Sequence, residues 1–117
     1  MAPGPERQRP PLGELEQLIL LAILRLGSDA YGLSITRELE AYAGRRLSRG
    51  ALYTSLDRLE TKGLLRWRTD KGGPERQGMP KRVYAVTPRG VEAVRASHQV
   101  LRRMWHGLDG FLKEPAS

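Results

Sequence analysis

The apolar residues of this chain change their spacing twice, and that limits the folds open to it. Up to Leu59 they recur at steps of three and four, between Leu65 and Thr87 at steps of two, and beyond Pro88 at three and four again. A period near 3.6 suits a helix with one buried face, and a period of two suits a strand. At 117 residues the chain is long enough for one domain and short for two. The pattern predicts a mainly α domain with one small β-hairpin, followed by a long terminal helix.

Residues 1–11 hold four prolines and read as a disordered leader. It has no apolar stretch before a cleavage site, so it does not read as a signal peptide. The first helix is expected from Gly13 to Leu26, with Glu14 and Glu16 suiting its N-terminus. Its stretch Leu18–Leu24 is apolar on every face, so it calls for a second cover beyond the domain's own core. In so small a domain a partner subunit supplies one. Gly27-Ser28-Asp29 reads as a turn, with Ser28 or Asp29 capping a second helix from Tyr31 to Tyr42. Leu33, Ile35, Leu39 and Tyr42 are its apolar positions, and Gly44 ends it. Ser48 is the expected N-cap of a third helix, whose stripe is Leu52, Leu56 and Leu59 and whose stop is Lys62-Gly63.

Two strands follow. Leu65, Trp67 and Thr69 alternate with Arg66, Arg68 and Asp70, and Val83, Ala85 and Thr87 alternate with Arg82, Tyr84 and Val86. Lys71 to Lys81, rich in Gly and Pro, is the flexible tip between them. Thr87-Pro88 is a strong helix start. The last helix is expected to reach about Leu108 or beyond, with Val91, Val94, His98, Leu101, Trp105, Leu108 and Leu112 at alternating steps of three and four. That is a heptad-like seam.

Charge narrows the function. The chain carries 20 Lys and Arg against 13 Asp and Glu, a net of +7. Between Arg45 and Arg89 stand twelve basic residues and four acidic ones, so this segment alone is +8 and the remainder is −1. Sixteen of the basic residues are Arg, the side chain suited to bidentate phosphate and guanine contacts. A localised basic segment is either a solvated charged face or the footprint of nucleic-acid binding. The absence of cysteine excludes disulfides, thiolate metal sites and a cysteine nucleophile, and it fits a reducing, cytoplasmic setting. The longest apolar run, seven residues from Leu18, is far short of the ~20 that span a membrane.

No nucleotide-binding glycine pattern and no His-Glu-x-x-His pair is present, so no enzyme activity and no cofactor is expected. The two histidines, His98 and His106, have no carboxylate nearby at ligand spacing and read as seam or surface residues rather than a metal site. Asp57 and Glu60, interleaved with Arg58 and Lys62, read as a solvated ion-pair face.

The order helix, helix, helix, strand, basic hairpin, strand, long helix is that of a winged helix-turn-helix. In that geometry the third helix enters the major groove by its N-terminal half. The candidate DNA-binding residues there are Ser48, Arg49, Gly50, Tyr53 and Thr54, with Arg58 one turn later. In the wing, Arg66, Arg68, Lys71, Arg76, Lys81 and Arg82 are available to the flanking backbone or minor groove. The expected organisation is a leader at 1–11, a winged helix-turn-helix DNA-binding domain at 12–87, a dimerisation helix at 88–112 and a tail at 113–117. The candidate dimer interface is Leu18, Leu21, Val94, Leu101, Trp105 and Leu108. The expected partner is double-stranded DNA carrying an inverted repeat, bound by a homodimer, with no membrane involved. The alternative is a winged-helix adaptor for protein or RNA, which would present an apolar patch where a DNA reader presents Arg and hydroxyl groups.

Four stretches carry a family resemblance: LEQLILLAILRL at 15–26, YGLSITREL at 31–39, ALYTSLDRLETKGLL at 51–65 and GMPKRVYAVTPRG at 78–90. In this order and spacing they resemble the PadR family of bacterial winged-helix transcriptional regulators, over about residues 12–108. The resemblance implies a homodimeric repressor that leaves DNA when an effector or stress signal arrives. It implies that Tyr53 and its neighbours face DNA and that the last helix mediates dimerisation. In some multidrug-responsive members an aromatic pair in that helix sandwiches planar ligands. The matching position here is Trp105, with His98 and Leu101 beside it as a candidate effector pocket; the other reading of Trp105 is a large anchor in a dimer core. The chain departs from the family in a longer wing tip, Gly72 to Gln77, and in lacking the extended C-terminal helical domain of larger members.

Overall fold

The computed structural model describes residues 12–72 and 80–113. Helix α1 spans Glu14–Leu26, α2 Gly32–Ala43, α3 Arg49–Thr61 and α4 Pro88–Trp105; strands β1, Leu65–Asp70, and β2, Lys81–Val86, pair antiparallel between α3 and α4. Arg76, in the wing tip, lies outside the described residues, as do the leader and the last four residues of the tail. No helix among the described residues is long and apolar enough to cross a membrane.

α1 begins where Glu16 Oε1 accepts the Gly13 backbone N–H at 3.1 Å. Ile19, Leu20, Ala22 and Ile23 are buried in the core, and Leu18 packs against it, half-buried. Only Leu21 and Leu24, 42% and 45% exposed, lack a cover. The all-round apolar stretch therefore leaves an uncovered edge rather than a whole second side, because α2, α3, α4 and β2 pack around it from several directions.

Neither Ser28 nor Asp29 caps α2. Residues 27–29 form a 3-10 turn and Tyr31 takes the N-cap position, its N–H held by Ser34 Oγ at 3.0 Å. Ile35 and Leu39 are buried, but Leu33 and Tyr42 are 52% and 70% exposed. Leu33 lies some 200° around the helix from Ile35, off the buried stripe, and Tyr42 stands outside as a platform for the Arg25 guanidinium, 4.0 Å from the ring centroid. Gly44 closes α2 at φ +62°, where its freedom to turn left-handed is needed.

Ser48 caps α3 by accepting the Ala51 N–H at 3.1 Å, and Leu52, Leu56 and Leu59 form its buried stripe. In the hairpin, Leu65 pairs with Val86, Trp67 with Tyr84 and Asp70 with Lys81. Alternation breaks in β2, where Val83 and Tyr84 are both buried. The strand's far edge is covered too: Tyr84 N–H donates to the Ala30 carbonyl at 2.7 Å, and α1 and the 27–29 turn pack against β2.

The start of α4 is fixed by Thr87, whose Oγ1 donates to the Gly63 carbonyl at 2.7 Å and accepts the Gly90 N–H at 3.1 Å. Pro88 follows as the first helical residue. Gly90 is required by space: a Cβ there would collide with the Leu64 carbonyl oxygen and with Val86 Cγ1. Ala93 and Val94 continue the docked face. The helix ends at Trp105, short of Leu108, because His106 leaves the helical conformation and Gly107 turns at φ +82°. Asp109–Leu112 forms a separate 3-10 turn.

Candidate nucleic-acid interface

The side of α3 opposite its leucine stripe faces solvent. Gly50, Thr54 and Arg58 are exposed along it, and Arg49, on the flank of the stripe, and the cap Ser48 are exposed as well. Tyr53, half-buried, leans towards α2. Its hydroxyl occupies the space a Cβ at Gly32 would need, so the glycine of the Tyr31-Gly32 pair lets the two helices approach at this point. Arg49 stands over the Tyr53 ring at 5.9 Å from its centroid. Between α2, α3 and the base of the wing runs an open groove of about 1100 Å³, bordered by Tyr31, Arg49, Tyr53, Lys81 and Arg82 among others.

Two of the wing cations rest on aromatic rings. Lys81 Nζ sits 3.4 Å from the centroid of the Tyr31 ring, and Arg82 Cζ sits 4.0 Å from the centroid of Trp67. Arg66, Arg68 and Lys71 are exposed. Tyr84, behind them, has its hydroxyl buried without a hydrogen-bond partner among the described residues. Burial pushes that phenol above its ordinary value, and the positive charge of Arg82 offsets part of the rise.

Several cations elsewhere are paired. Arg45 pairs with Glu14 at 2.5 Å, Arg46 with Glu40 at 3.3 Å, Lys62 with Glu16 at 2.6 Å and Arg25 with Glu38 at 2.6 Å. Burial raises the Glu16 carboxyl, but Lys62 and the Gly13 N–H outweigh it and hold the group below its ordinary value. Asp57 and Glu60 form no ion pair among the described residues. The ion-pair face expected along α3 is absent because Lys62 turns away to the better-enclosed Glu16. Arg49, Arg58, Arg68, Lys81 and Arg82 likewise enter no ion pair among the described residues. Within the positive segment Arg45, Arg46 and Lys62 are thus paired, whereas Arg49 and Arg58 on α3, Arg68, Lys81 and Arg82 on the wing and Arg89 at the head of α4 enter no ion pair among the described residues.

The residues expected in the seam fall into two groups. Val94 packs on the chain's own core, whereas Leu101, Trp105 and Leu108 are 52%, 41% and 43% exposed. Val100, Met104, Phe111 and Leu112 are exposed with them, and of these the sequence reading named only Leu112. Met104, three residues after Leu101, shares its face by simple helical spacing. His98 is exposed beside Leu101 and Trp105, and neither the groove beside α3 nor the concavity on α4 is lined by these three. The concavity on α4 lies on another flank, lined by Gln99, Arg102, Arg103 and His106. No cluster of metal-ligating side chains occurs among the described residues. Sequence reasoning also missed Tyr31 and Trp67 as the rings beneath Lys81 and Arg82; their register across the hairpin and its far edge carried the signal only for Trp67.

Comparison with known proteins places this architecture. The chain resembles a PadR family transcription regulator from Clostridium difficile at 23% identity, covering 86% of this chain and all of that one, with a TM-score of 0.67. A PadR family transcriptional regulator from Eggerthella lenta matches at 28% identity, over 87% of this chain and 88% of that one, with a TM-score of 0.61. The complex structure of hsRosR-S4 matches at 30% identity, over 82% and 76%, with a TM-score of 0.58. No curated protein matches the chain. The model of the transcriptional regulator PadR-like family matches residues 20–96, from the buried run of α1 through the docked turns of α4. With that span matched, the chain belongs to the PadR-like family and is a DNA-binding transcriptional regulator.

Proposed function

We propose that the protein is a homodimeric repressor that reads an inverted-repeat operator in double-stranded DNA. α3 enters the major groove, with Ser48, Arg49, Gly50, Tyr53 and Thr54 towards base edges and phosphates and Arg58 on its flank. Arg68, Lys71, Lys81 and Arg82 lie along the neighbouring backbone. The observation that carries this reading is the state of the cations: Arg49 and Arg58 on α3 and Arg68, Lys81 and Arg82 on the wing enter no ion pair among the described residues, whereas Arg25, Arg45, Arg46 and Lys62 pair with carboxylates. An adaptor for an apolar partner would have no need of unpaired cations on that face.

The dimer forms through the outer half of α4 and the turn after it, where Leu101, Trp105 and Leu108 stand uncovered, together with the exposed Leu21 edge of α1. Contiguous apolar surface of this kind is normally hidden in an interface. A planar aromatic effector stacking on Trp105 beside His98 and Leu101 releases the DNA; favouring the released state by about 1.4 kcal/mol loosens binding tenfold.

Footprinting on the DNA upstream of the protein's own gene tests the reading. Two protected half-sites are expected, centred about ten base pairs or a multiple apart, with affinity falling steeply as salt rises. Binding that hardly responds to salt rejects it.

A further inference from the structure

We infer that Trp67 is a positioning residue for DNA binding: its indole holds the Arg82 guanidinium at the junction of α3 and the wing, ready to meet a backbone phosphate. The inference rests on the reading of this face as the DNA-binding surface.

Register places the two residues together. Trp67 stands opposite Tyr84, and Arg82, two residues before Tyr84, is its diagonal neighbour on the same face of the hairpin. On that face Leu65 and Tyr84 are buried, whereas Trp67 remains 36% exposed and lies outside the core. A large apolar ring at an exposed strand position, outside the core, calls for another role. The guanidinium lies 4.0 Å from its centroid. Arg82 also borders the groove shared with Arg49 and Tyr53, so the stacked cation faces the space beside α3.

The chemistry separates this brace from an ion pair. A carboxylate would confine Arg82 but also cancel its charge. An aromatic face confines the guanidinium and leaves both its charge and its in-plane N–H donors for a phosphate. Less side-chain freedom is then lost on binding. Lys81 follows the same plan from the other face of the strand, backed by Tyr31 at 3.4 Å.

The test is a double-mutant cycle, measured by anisotropy of a labelled mixed-sequence duplex across a salt series. Arg82→Ala should weaken binding about tenfold and lower the salt slope by about one contact. Trp67→Leu should weaken it about three- to tenfold with the slope unchanged, since no charge is removed. Trp67→Phe, which keeps a ring, should recover most of that loss. In the Arg82→Ala background, Trp67→Leu should cost nothing further. Equal effects of Leu and Phe, or a Trp67→Leu loss that persists without Arg82, would overturn the assignment; a wing that merely collapses gives that second result. If the unmodified protein binds no duplex at all, the DNA-binding reading of this face falls and the Trp67 assignment falls with it.

Discussion

The two halves of α4 are made of similar residues and have different fates. In the first turns Gly90, Ala93 and Val94 lie against the core, and Gly90 could not be larger without displacing the turn at Leu64. Further along, Leu101, Met104 and Trp105 continue an apolar face with no chain beneath it. Periodicity marks both halves as one stripe. The difference shows that a repeating pattern identifies the face a helix must cover and leaves open what covers it.

The largest effect that could break this comparison is at the docked end. Gly90→Val should destabilise the fold by about 3 kcal/mol or more, because a branched side chain must displace backbone at Leu64 as well as Val86. Chemical denaturation reads it directly. If the variant unfolds like its parent, α4 is not anchored where its first turn meets the hairpin.

At the free end the expected effect is on assembly. Leu101→Arg with Leu108→Arg should shift dimer dissociation about 100-fold, some 2.7 kcal/mol, while the secondary structure of the single chain survives. Sedimentation across a concentration series distinguishes monomer from dimer. A variant that remains dimeric would move the interface away from the outer half of α4.

The smallest effect sharpens the contrast from the body of the domain. Glu16 is held below its ordinary value of 4.5 in the folded chain. Its contribution is fully present above the unfolded value and is lost as pH falls through the lower, folded one. Lys62 is partly exposed, so the effect should be below about 1 kcal/mol. Lys62→Met should flatten the dependence of unfolding midpoint on pH below about 4.5, and equally so in the Leu101→Arg, Leu108→Arg background. A slope that vanishes with the seam substitutions would mean that the tie between α1 and α3 depends on the partner subunit.

Much of the fold could be read from local chemistry. Ser48 as N-cap, Thr87-Pro88 as a helix start, Gly44 as a stop and the stripe Leu52, Leu56, Leu59 are each decided within a turn or two of chain. The readings that changed turned on competition within a turn in one case and on packing against neighbouring elements in the other. Tyr31 rather than Ser28 or Asp29 heads α2 because the 27–29 turn takes up the preceding residues and Ser34 reaches back. Leu33 and Tyr42 are apolar but face outward, since the helix's angle to its neighbours selects only Ile35 and Leu39.

For the candidate site the sequence determined the inventory: a basic segment rich in arginine and hydroxyls at the head of α3. Those are properties of composition and spacing, and no tertiary contact alters them. Tertiary structure decided which of the cations remain available. Arg45, Arg46 and Lys62 belong to the same positive segment as Arg49 and Arg82, yet Glu14, Glu40 and Glu16 neutralise them. Two of those carboxylates lie on α1, more than thirty residues away in the chain. Coulomb attraction acts through space, so only the packed arrangement of α1 against α2 and α3 separates the charges that brace the fold from those it leaves exposed.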